Sequence, residues 1–232
     1  MPQFDEQTLI YLRALRDRFP TAEAALAAIA GLRAALTLPK GTTHVISDVH
    51  GEYVKLAHVL RNASGSLRPL VEQTFGTRLT DAEKRELLNM IYYPRETFME
   101  QCFPGEVERG EFIRRICTWQ FELLRVLSRR YDMATIEQVF PASFRAVFRE
   151  LLFGKYLDRS QAFIDALLAP IREHRDELDF LRHISRVIRS LLVSELIVAG
   201  DFGDRGPRID RVIETVMHQR NVVITWGNHD AS

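Results

Sequence analysis

The sequence predicts an α/β fold, in which short parallel strands alternate with helices. Three apolar runs have the length of buried strands, and each leads into a turn that contains glycine: residues 43–47, 195–199 and 222–226. Most of the remaining chain has apolar residues at helical spacing. Because strands separated by helices form parallel sheets, whose carboxyl ends share one edge, we expect the three turns to lie together there.

The composition is that of a globular protein and excludes several functions. The 232 residues suffice for one large domain or for one domain with a large insertion. Basic and acidic residues number 31 each, so no overall charge favours nucleic acid or an anionic membrane. The two cysteines, Cys102 and Cys117, show no disulfide spacing. Without a signal peptide or a run of about 18 apolar residues, the chain is predicted to be cytoplasmic.

Two helices are predicted in the N-terminal region, residues 1–40. The first covers about residues 4–18 and is broken by Pro20. Thr21 is the expected N-cap of the second helix, which runs to Leu36. The first strand follows, and residues 52–62 then form the helix of a βα unit.

A long helical insertion is predicted between the first and second strands. Asp48 and Asp201 are separated by 152 residues, where a simple βα unit needs roughly 30. The periodicity predicts helices and no convincing strand, at about 67–75, 80–90, 94–103, 106–130, 134–138, 141–153, 160–169 and 171–194. We therefore assign residues 63–194 to the insertion, and residues 41–62 and 195–232 to the core.

Two smaller expectations concern charged and helix-starting residues. The arginine-rich stretch 109–130 is interpreted as a solvated helix face, paired with glutamates of the same helix, with an anion site or an interface as the alternative.

After the second strand, a helix is predicted over residues 207–219, with Pro207 at its first position.

The three turns carry side chains suited to a pair of divalent cations. Asp48 and His50 are two positions apart, so at a strand edge they point to the same side and can bind the first ion. Asp201 is the candidate carboxylate that bridges both ions, and Asn228 offers an amide oxygen to the second. Oxygen and nitrogen ligands without thiolates suit Mn²⁺, Mg²⁺, Fe or Zn²⁺. Taken singly, Asp48 and Asp201 could instead cap helices, and His50 could be a core histidine.

Two further residues of these turns suit phosphate chemistry. The guanidinium of Arg205 can pair two phosphate oxygens at once. His229 can contact the phosphate and donate a proton to the leaving oxygen as a general acid. Together with the metal ligands, these residues predict the hydrolysis of a phosphate ester.

The motifs D-x-H, G-D-x-x-D-R-G and G-N-H-D, in this order, resemble those of the calcineurin-like metallophosphoesterase superfamily. The D-R-G form resembles the phosphoprotein phosphatase and sugar bisphosphatase branch. Residues 46–53, the opening helices and the long helical segment resemble the N-terminal part of a class III (Firmicutes-type) fructose-1,6-bisphosphatase, over essentially the whole chain. This resemblance implies a partial metallophosphoesterase sandwich, Mn²⁺ as the cofactor, and Asp204 as the residue that orients His229.

The resemblance also implies a substrate and a missing partner. The intact protein would hydrolyse fructose 1,6-bisphosphate, a small sugar bisphosphate, to fructose 6-phosphate in gluconeogenesis. The superfamily pattern continues past G-N-H-D with two further histidines, so we expect the C-terminal half of the same protein to be missing and the fragment to be weakly active or inactive. The third strand would then expose an edge and an apolar face.

Alternatives remain open at this point. A phosphoprotein or dinucleoside-polyphosphate phosphatase would use the same turns on another substrate. A non-catalytic module would use the helical insertion as an interaction surface. The sequence leaves a homo-oligomer open as well.

Overall fold

The computed structural model describes residues 5–154 and 160–230, and the chain divides into two compact units, Met1–Pro39 and Lys40–Ser232. The first unit contains α1 (Glu6–Arg18) and α2 (Ala22–Ala35). The predicted cap of α2 is confirmed, because Thr21 Oγ1 accepts the backbone N–H of Ala24 at 3.1 Å. Neither helix has a buried residue.

The second unit consists of a small sheet and a large helical block. Its elements are β1 (Thr42–Ile46), α3 (Tyr53–Arg61), α4 (Leu67–Phe75), α5 (Asp81–Tyr92), α6 (Pro94–Met99), α7 (Glu106–Ser128), α8 (Met133–Val139), α9 (Arg145–Phe153), α10 (Gln161–Glu173), α11 (Glu177–Leu192), β2 (Val193–Ala199), α12 (Ile209–Met217) and β3 (Val222–Thr225). Short 3₁₀ turns occupy Ala63–Gly65, Gly76–Arg78 and Ala142–Phe144. The architecture is α/β, as the sequence predicts.

The three strands form one parallel sheet in the order β1-β2-β3. One face of the sheet is covered by α3 and α12. Leu196 and Val198 of β2 are 2% and 0% exposed there, and they pack with Leu56 of α3 and with Val212 and Val216 of α12. This small core fixes the strand ends that carry the three turns.

The opposite face of the sheet is open among the described residues. Val45, Ile197 and Val223 share a register position across the three strands. Val45 is 65% exposed and Val223 is 44% exposed. Trp226, directly after β3, is 83% exposed. The predicted apolar exposure at the third strand is therefore confirmed.

The helical block has its own, larger core. Its two longest helices, α7 and α11, pack against each other along their buried faces. Phe148 and Phe180 lie at the centre and are fully buried. α11 continues into β2 without an intervening residue, so the block is joined directly to the sheet. No helix within residues 5–154 and 160–230 is long and apolar enough to cross a membrane.

Three arginines of α7 pair with carboxylates of other helices rather than with glutamates of their own helix, contrary to the prediction. The pairs are Arg109 with Glu177, Arg114 with Asp165 and Arg115 with Glu86. Arg109 binds both carboxylate oxygens of Glu177, at 3.1 and 3.0 Å. Because the Glu177 side chain is only 2% exposed, this ion pair lies inside the block.

Two helix boundaries also differ from the prediction. α10 continues through Pro170 to Glu173, and the break comes at Arg175, whose φ is 62°. Leu168 and Ile171, on either side of the proline, are buried, and this packing holds the helix together. α12 begins at Ile209 rather than Pro207, because the N–H of Arg208 donates to the Gly51 carbonyl at 3.3 Å. β2 begins at Val193, two residues inside the predicted insertion.

Candidate metal centre

Three turns meet at the carboxyl edge of the sheet: the first turn (residues 48–51), the second turn (200–206) and the third turn (227–230). The first two are joined by backbone hydrogen bonds. The N–H of His50 donates to the Asp201 carbonyl at 2.8 Å, and the N–H of Gly51 donates to the Phe202 carbonyl at 2.7 Å. The N–H of Gly206 returns a hydrogen bond to the His50 carbonyl at 2.6 Å. The position of His50 is therefore fixed from both sides.

Glycines allow the turns to approach more closely than side chains would permit. A Cβ atom on Gly200, whose φ is 75°, would lie 2.2 Å from the backbone nitrogen of Gly227. A Cβ atom on Gly206 would lie 2.2 Å from the His50 carbonyl oxygen. These positions require glycine because the backbones themselves are in contact.

Asp230 joins the second and third turns. Its carboxylate accepts the backbone N–H groups of Asp201 at 2.7 Å, Phe202 at 2.9 Å and Gly227 at 3.0 Å. These backbone hydrogen bonds, with that of Phe202 the largest contribution, lower the pKa of Asp230. These contacts join the two turns, so Asp230 is a structural turn residue.

The structure brings Asp48, His50 and Asp201 together. One potential ligand atom from each lies within 4.8 Å of the other two. All three residues have left-handed backbones, with φ of 54°, 46° and 55°. The alternation of a strand therefore does not explain why Asp48 and His50 face the same side. Non-glycine residues in this region cost about 1–2 kcal/mol each, and such strain is concentrated at functional sites.

The hydrogen bonds of His50 leave one ring nitrogen available. Its Nδ1 contacts Asp204 Oδ1, while its Nε2 lies 3.8 Å from Asp48 Oδ1. An imidazole that donates Nδ1–H to a carboxylate presents Nε2 as a lone pair, the arrangement common among metal-binding histidines. The donor set of this cluster therefore fits a divalent cation.

Asp204 lies between the two histidines and Arg205. Its Oδ2 is 3.2 Å from His229 Nδ1 and accepts Arg205 Nε–H at 3.1 Å. Burial alone would raise the pKa of Asp204. The hydrogen bond from His50 and the proximity of the His229 and Arg205 side chains outweigh it, so the pKa of Asp204 is lowered. Asp204 is therefore held as a carboxylate.

The remaining predicted residues lie at the rim of the centre. The Arg205 side chain is 70% exposed. Asn228 is exposed on the third turn, and its two neighbours contact the second turn: His229 N–H donates to Asp201 Oδ1 at 3.1 Å, and Gly227 is packed against the same carboxylate. The backbone places Asn228 beside the cluster, but its amide makes no hydrogen bond to another residue in the described part of the chain.

Comparison with known protein families decides the assignment. The family model described as Firmicute fructose-1,6-bisphosphatase matches residues 10–232. The chain belongs to this family. Among its curated fructose-1,6-bisphosphatase relatives, a class 3 protein of Clostridium beijerinckii is 33% identical over 231 residues, which is 99% of this chain and 35% of the relative. Class 3 proteins of Clostridium botulinum and Porphyromonas gingivalis are 34% and 35% identical over 97% and 96% of this chain, and 34% of their own length in each case.

The chain thus spans about a third of the length of the curated fructose-1,6-bisphosphatases that it matches. No solved structure gives a significant match.

Two residues of this fructose-1,6-bisphosphatase family member, not singled out in the sequence, line the cleft beside the centre. The cleft has a volume of about 410 Å³ and is bordered by Asp48, His50 and Arg205, together with Glu52 and Lys55. Lys55 Nζ lies 3.8 Å from Glu52 Oε2 and is 78% exposed. The sequence signal for Lys55 is its position one helical turn after the D-x-H-G motif, and this signal is weak without the fold.

Proposed function

We propose that the chain is the N-terminal part of a fructose-1,6-bisphosphatase, and that the whole protein hydrolyses fructose 1,6-bisphosphate to fructose 6-phosphate and phosphate. The observation that carries this proposal is the cluster of Asp48, His50 and Asp201, whose ligand atoms lie within 4.8 Å of one another. The family match supports the sugar bisphosphate as substrate. The match includes the helical block. This block argues against a phosphoprotein phosphatase, which would have an open groove instead.

Four residues would hold two divalent cations in this proposal: Asp48, His50, Asp201 and Asn228. We propose Mn²⁺, which is compatible with oxygen and nitrogen donors, as are Mg²⁺, Fe and Zn²⁺. When bound, such ions lower the pKa of a water molecule and neutralise phosphoryl oxygens. The residues themselves position the donors, since His50 is fixed through Asp204 and Asp201 through the third turn.

Arg205, His229 and Asp204 would act on the phosphate. Arg205 uses Nε to bind Asp204 and retains its two terminal amino groups for phosphoryl oxygens. His229 would donate a proton from Nε2 to the leaving sugar oxygen, because its Nδ1 faces Asp204 at 3.2 Å. Asp204, held as a carboxylate, would stabilise the protonated imidazole before that transfer.

We further propose that the sheet is one part of a calcineurin-like sandwich in the whole protein. The division would be an N-terminal helical region (1–40), a core (41–62 and 195–232) and a helical insertion (63–194). The exposed face of Val45 and Val223 supports a covering layer from the remainder of a longer chain. Two free cysteines are compatible with a cytoplasmic location, which we also propose.

The test is fructose 1,6-bisphosphate hydrolysis in the presence of Mn²⁺, measured on this chain and on a longer protein of the length of its relatives. We expect turnover from the longer protein, and its loss in Asp201→Asn. Asp179→Asn, an exposed aspartate of α11 paired with Arg182, is the matched control and should retain activity. Phosphopeptide hydrolysis without sugar bisphosphate hydrolysis would refute the proposed substrate, and inactivity toward all phosphate esters would refute the enzyme.

Two variants of the longer protein test the assigned roles. Arg205→Ala should slow turnover by roughly 10²-fold, because a guanidinium that binds the transferring phosphoryl group is removed. His229→Gln should lower the rate with the sugar phosphate. An unchanged rate in His229→Gln would show that the general acid has been assigned wrongly.

A further inference from the structure

A second polar cavity lies between α3, α11 and α12, and we call it the arginine groove. Its volume is about 490 Å³. The residues that line it recur at helical spacing, with Arg186, Arg189 and Ser190 on α11, and Thr215 and His218 from α12 onward. Three helix faces therefore converge on one space.

The arginine groove is separate from the metal centre. Tyr53, the first residue of α3 and two residues after the first turn, lines one end of the groove, and Arg61, the last residue of α3, lines its basic end. At 1.5 Å per residue, the basic end of the groove lies about 12 Å along the helix from that turn. Neither Asp48, His50, Asp201 nor Arg205 lines it.

The positive charges of the groove have no carboxylate partner among the described residues. Within residues 5–154 and 160–230, no carboxylate oxygen lies within 4.0 Å of the guanidinium groups of Arg61, Arg186 or Arg189. Glu214, in the adjoining depression, is already paired with Arg211 at 2.9 Å. The Arg61 guanidinium lies over the Tyr93 ring, 5.9 Å from its centroid, which leaves its charge in place. Three guanidinium groups without a carboxylate partner therefore concentrate positive charge at one cavity.

The arginines of the helical block provide a contrast. Three arginines of α7 each reach a carboxylate on another helix, at distances of 3.0, 2.9 and 2.8 Å. The three arginines of the groove lack such a partner among the described residues, and they converge on one cavity. This convergence favours an anionic ligand as the missing partner.

Arg189 is the most constrained of the three. It is partly buried, and its Nη1 donates to the Ile91 carbonyl, which fixes the guanidinium in the wall of the groove. Burial, and then the charges of Arg61 and Arg186, lower the pKa of Arg189 to about 10. An anion in the groove would remove this mutual repulsion. A guanidinium fixed before binding also loses little freedom when the anion arrives.

We propose that the arginine groove is a second anion site, which binds a phosphate dianion, either free or as the phosphomonoester of a small metabolite. Guanidinium groups match phosphate oxygens in pairs, and the hydroxyl groups of Ser190 and Thr215 add neutral donors to the same cavity. The anion would contact α3, which follows the first turn, and α11, which leads into β2 and the second turn. It would therefore stabilise the packing of the two elements that position the metal centre.

The test is a titration of the 232-residue chain with inorganic phosphate by calorimetry, in EDTA and at constant ionic strength with KCl. We expect binding to the unaltered chain, and a loss of about tenfold in affinity for each guanidinium removed in Arg61→Gln and Arg186→Gln. Arg182→Gln, one turn earlier on α11 and paired with Asp179, is the matched control and should bind as the unaltered chain does. Arg205→Gln distinguishes the groove from the metal centre, where Arg205 would bind phosphate, because phosphate bound in the groove is retained in this variant.

Three results would overturn the proposal: no binding by the unaltered chain, equal affinity in the Arg61→Gln, Arg186→Gln double variant, or loss of binding in Arg205→Gln, which would place the phosphate at the metal centre. If the double variant does not fold, hydrogen exchange of the unaltered chain tests the site instead. Phosphate bound in the groove must slow amide exchange in α3 and α11. Unchanged exchange there would refute the site. The absence of metal keeps this test independent of the proposed hydrolysis.

The source of the anion is distinguished by repeating the titration with glycerol 3-phosphate. Tighter binding than inorganic phosphate identifies a phosphorylated metabolite as the ligand. Equal or weaker binding identifies free phosphate. Both results retain the site and decide between its two ligands.

Discussion

Gly200→Ala tests whether the contact between the second and third turns holds the metal centre together. The new Cβ would lie 2.2 Å from the Gly227 nitrogen, where ordinary contacts begin at 3.4 Å, so the two backbones must separate by about 1 Å. Gly65→Ala is the matched control, because Gly65 also has a positive φ, 82°, but its Cβ would meet no described atom within 4 Å. The control should cost about 1–2 kcal/mol for the backbone alone. Gly200→Ala should cost about 1–3 kcal/mol more.

The two variants should differ more clearly in metal binding. Separation of the turns displaces Asp201, so we expect Mn²⁺ affinity, measured by electron paramagnetic resonance of the free ion, to fall by about 10–100-fold in Gly200→Ala. Gly65→Ala should bind Mn²⁺ as the unaltered chain does. Urea unfolding gives the stability of each. Equal Mn²⁺ affinity in both variants, with equal losses of stability, would refute the idea that this glycine contact positions the ligands.

Three further predictions concern the rest of the chain. Arg109→Met should destabilise the fold by about 3–5 kcal/mol in urea unfolding, because it leaves the buried Glu177 carboxylate without a partner. Arg114→Met should cost at most about 1 kcal/mol, because both side chains of its ion pair are partly exposed. Burial raises the pKa of the Cys117 thiol to about 12, so Ellman's reagent should modify Cys102 alone in the folded chain at pH 8 and both thiols in guanidinium chloride. Because the pKa of Asp230 is lower in the folded state, its stabilisation is present above its ordinary value of 3.8 and is lost as the pH falls below it. Asp230→Asn should therefore flatten the acid side of the stability–pH curve, and an unchanged slope would contradict the assigned hydrogen bonds.

The convergence of the turns could be predicted from sequence because it follows from local features. Apolar strands that end in glycine turns place their carboxyl ends at one edge, and the structure brings Asp48 and Asp201 together there. The prediction that Asp48 and His50 face the same side because side chains alternate along a strand was wrong. Both residues adopt left-handed rather than extended backbones. Such conformations depend on hydrogen bonds to the second turn, which no local pattern reveals.

Features that depend on distant partners could not be predicted. Three arginines of α7 pair with carboxylates on other helices, and the spacing along one helix gives no information about these partners. The start of α12 is set by a hydrogen bond from Arg208 to Gly51, which outweighs the helix-starting preference of Pro207. The arginine groove is formed by three helices that are far apart in the chain, so it appears only in the folded protein.

Because the helical block lies between β1 and β2 in the sequence, metal binding depends on the folding of that block. With the block unfolded, Asp48 and Asp201 would be the ends of a tether of 152 residues, and their effective concentration would fall to about the millimolar range or lower. Damage to a remote residue such as Phe148 would then be detected first as released metal, before any ligand itself had changed.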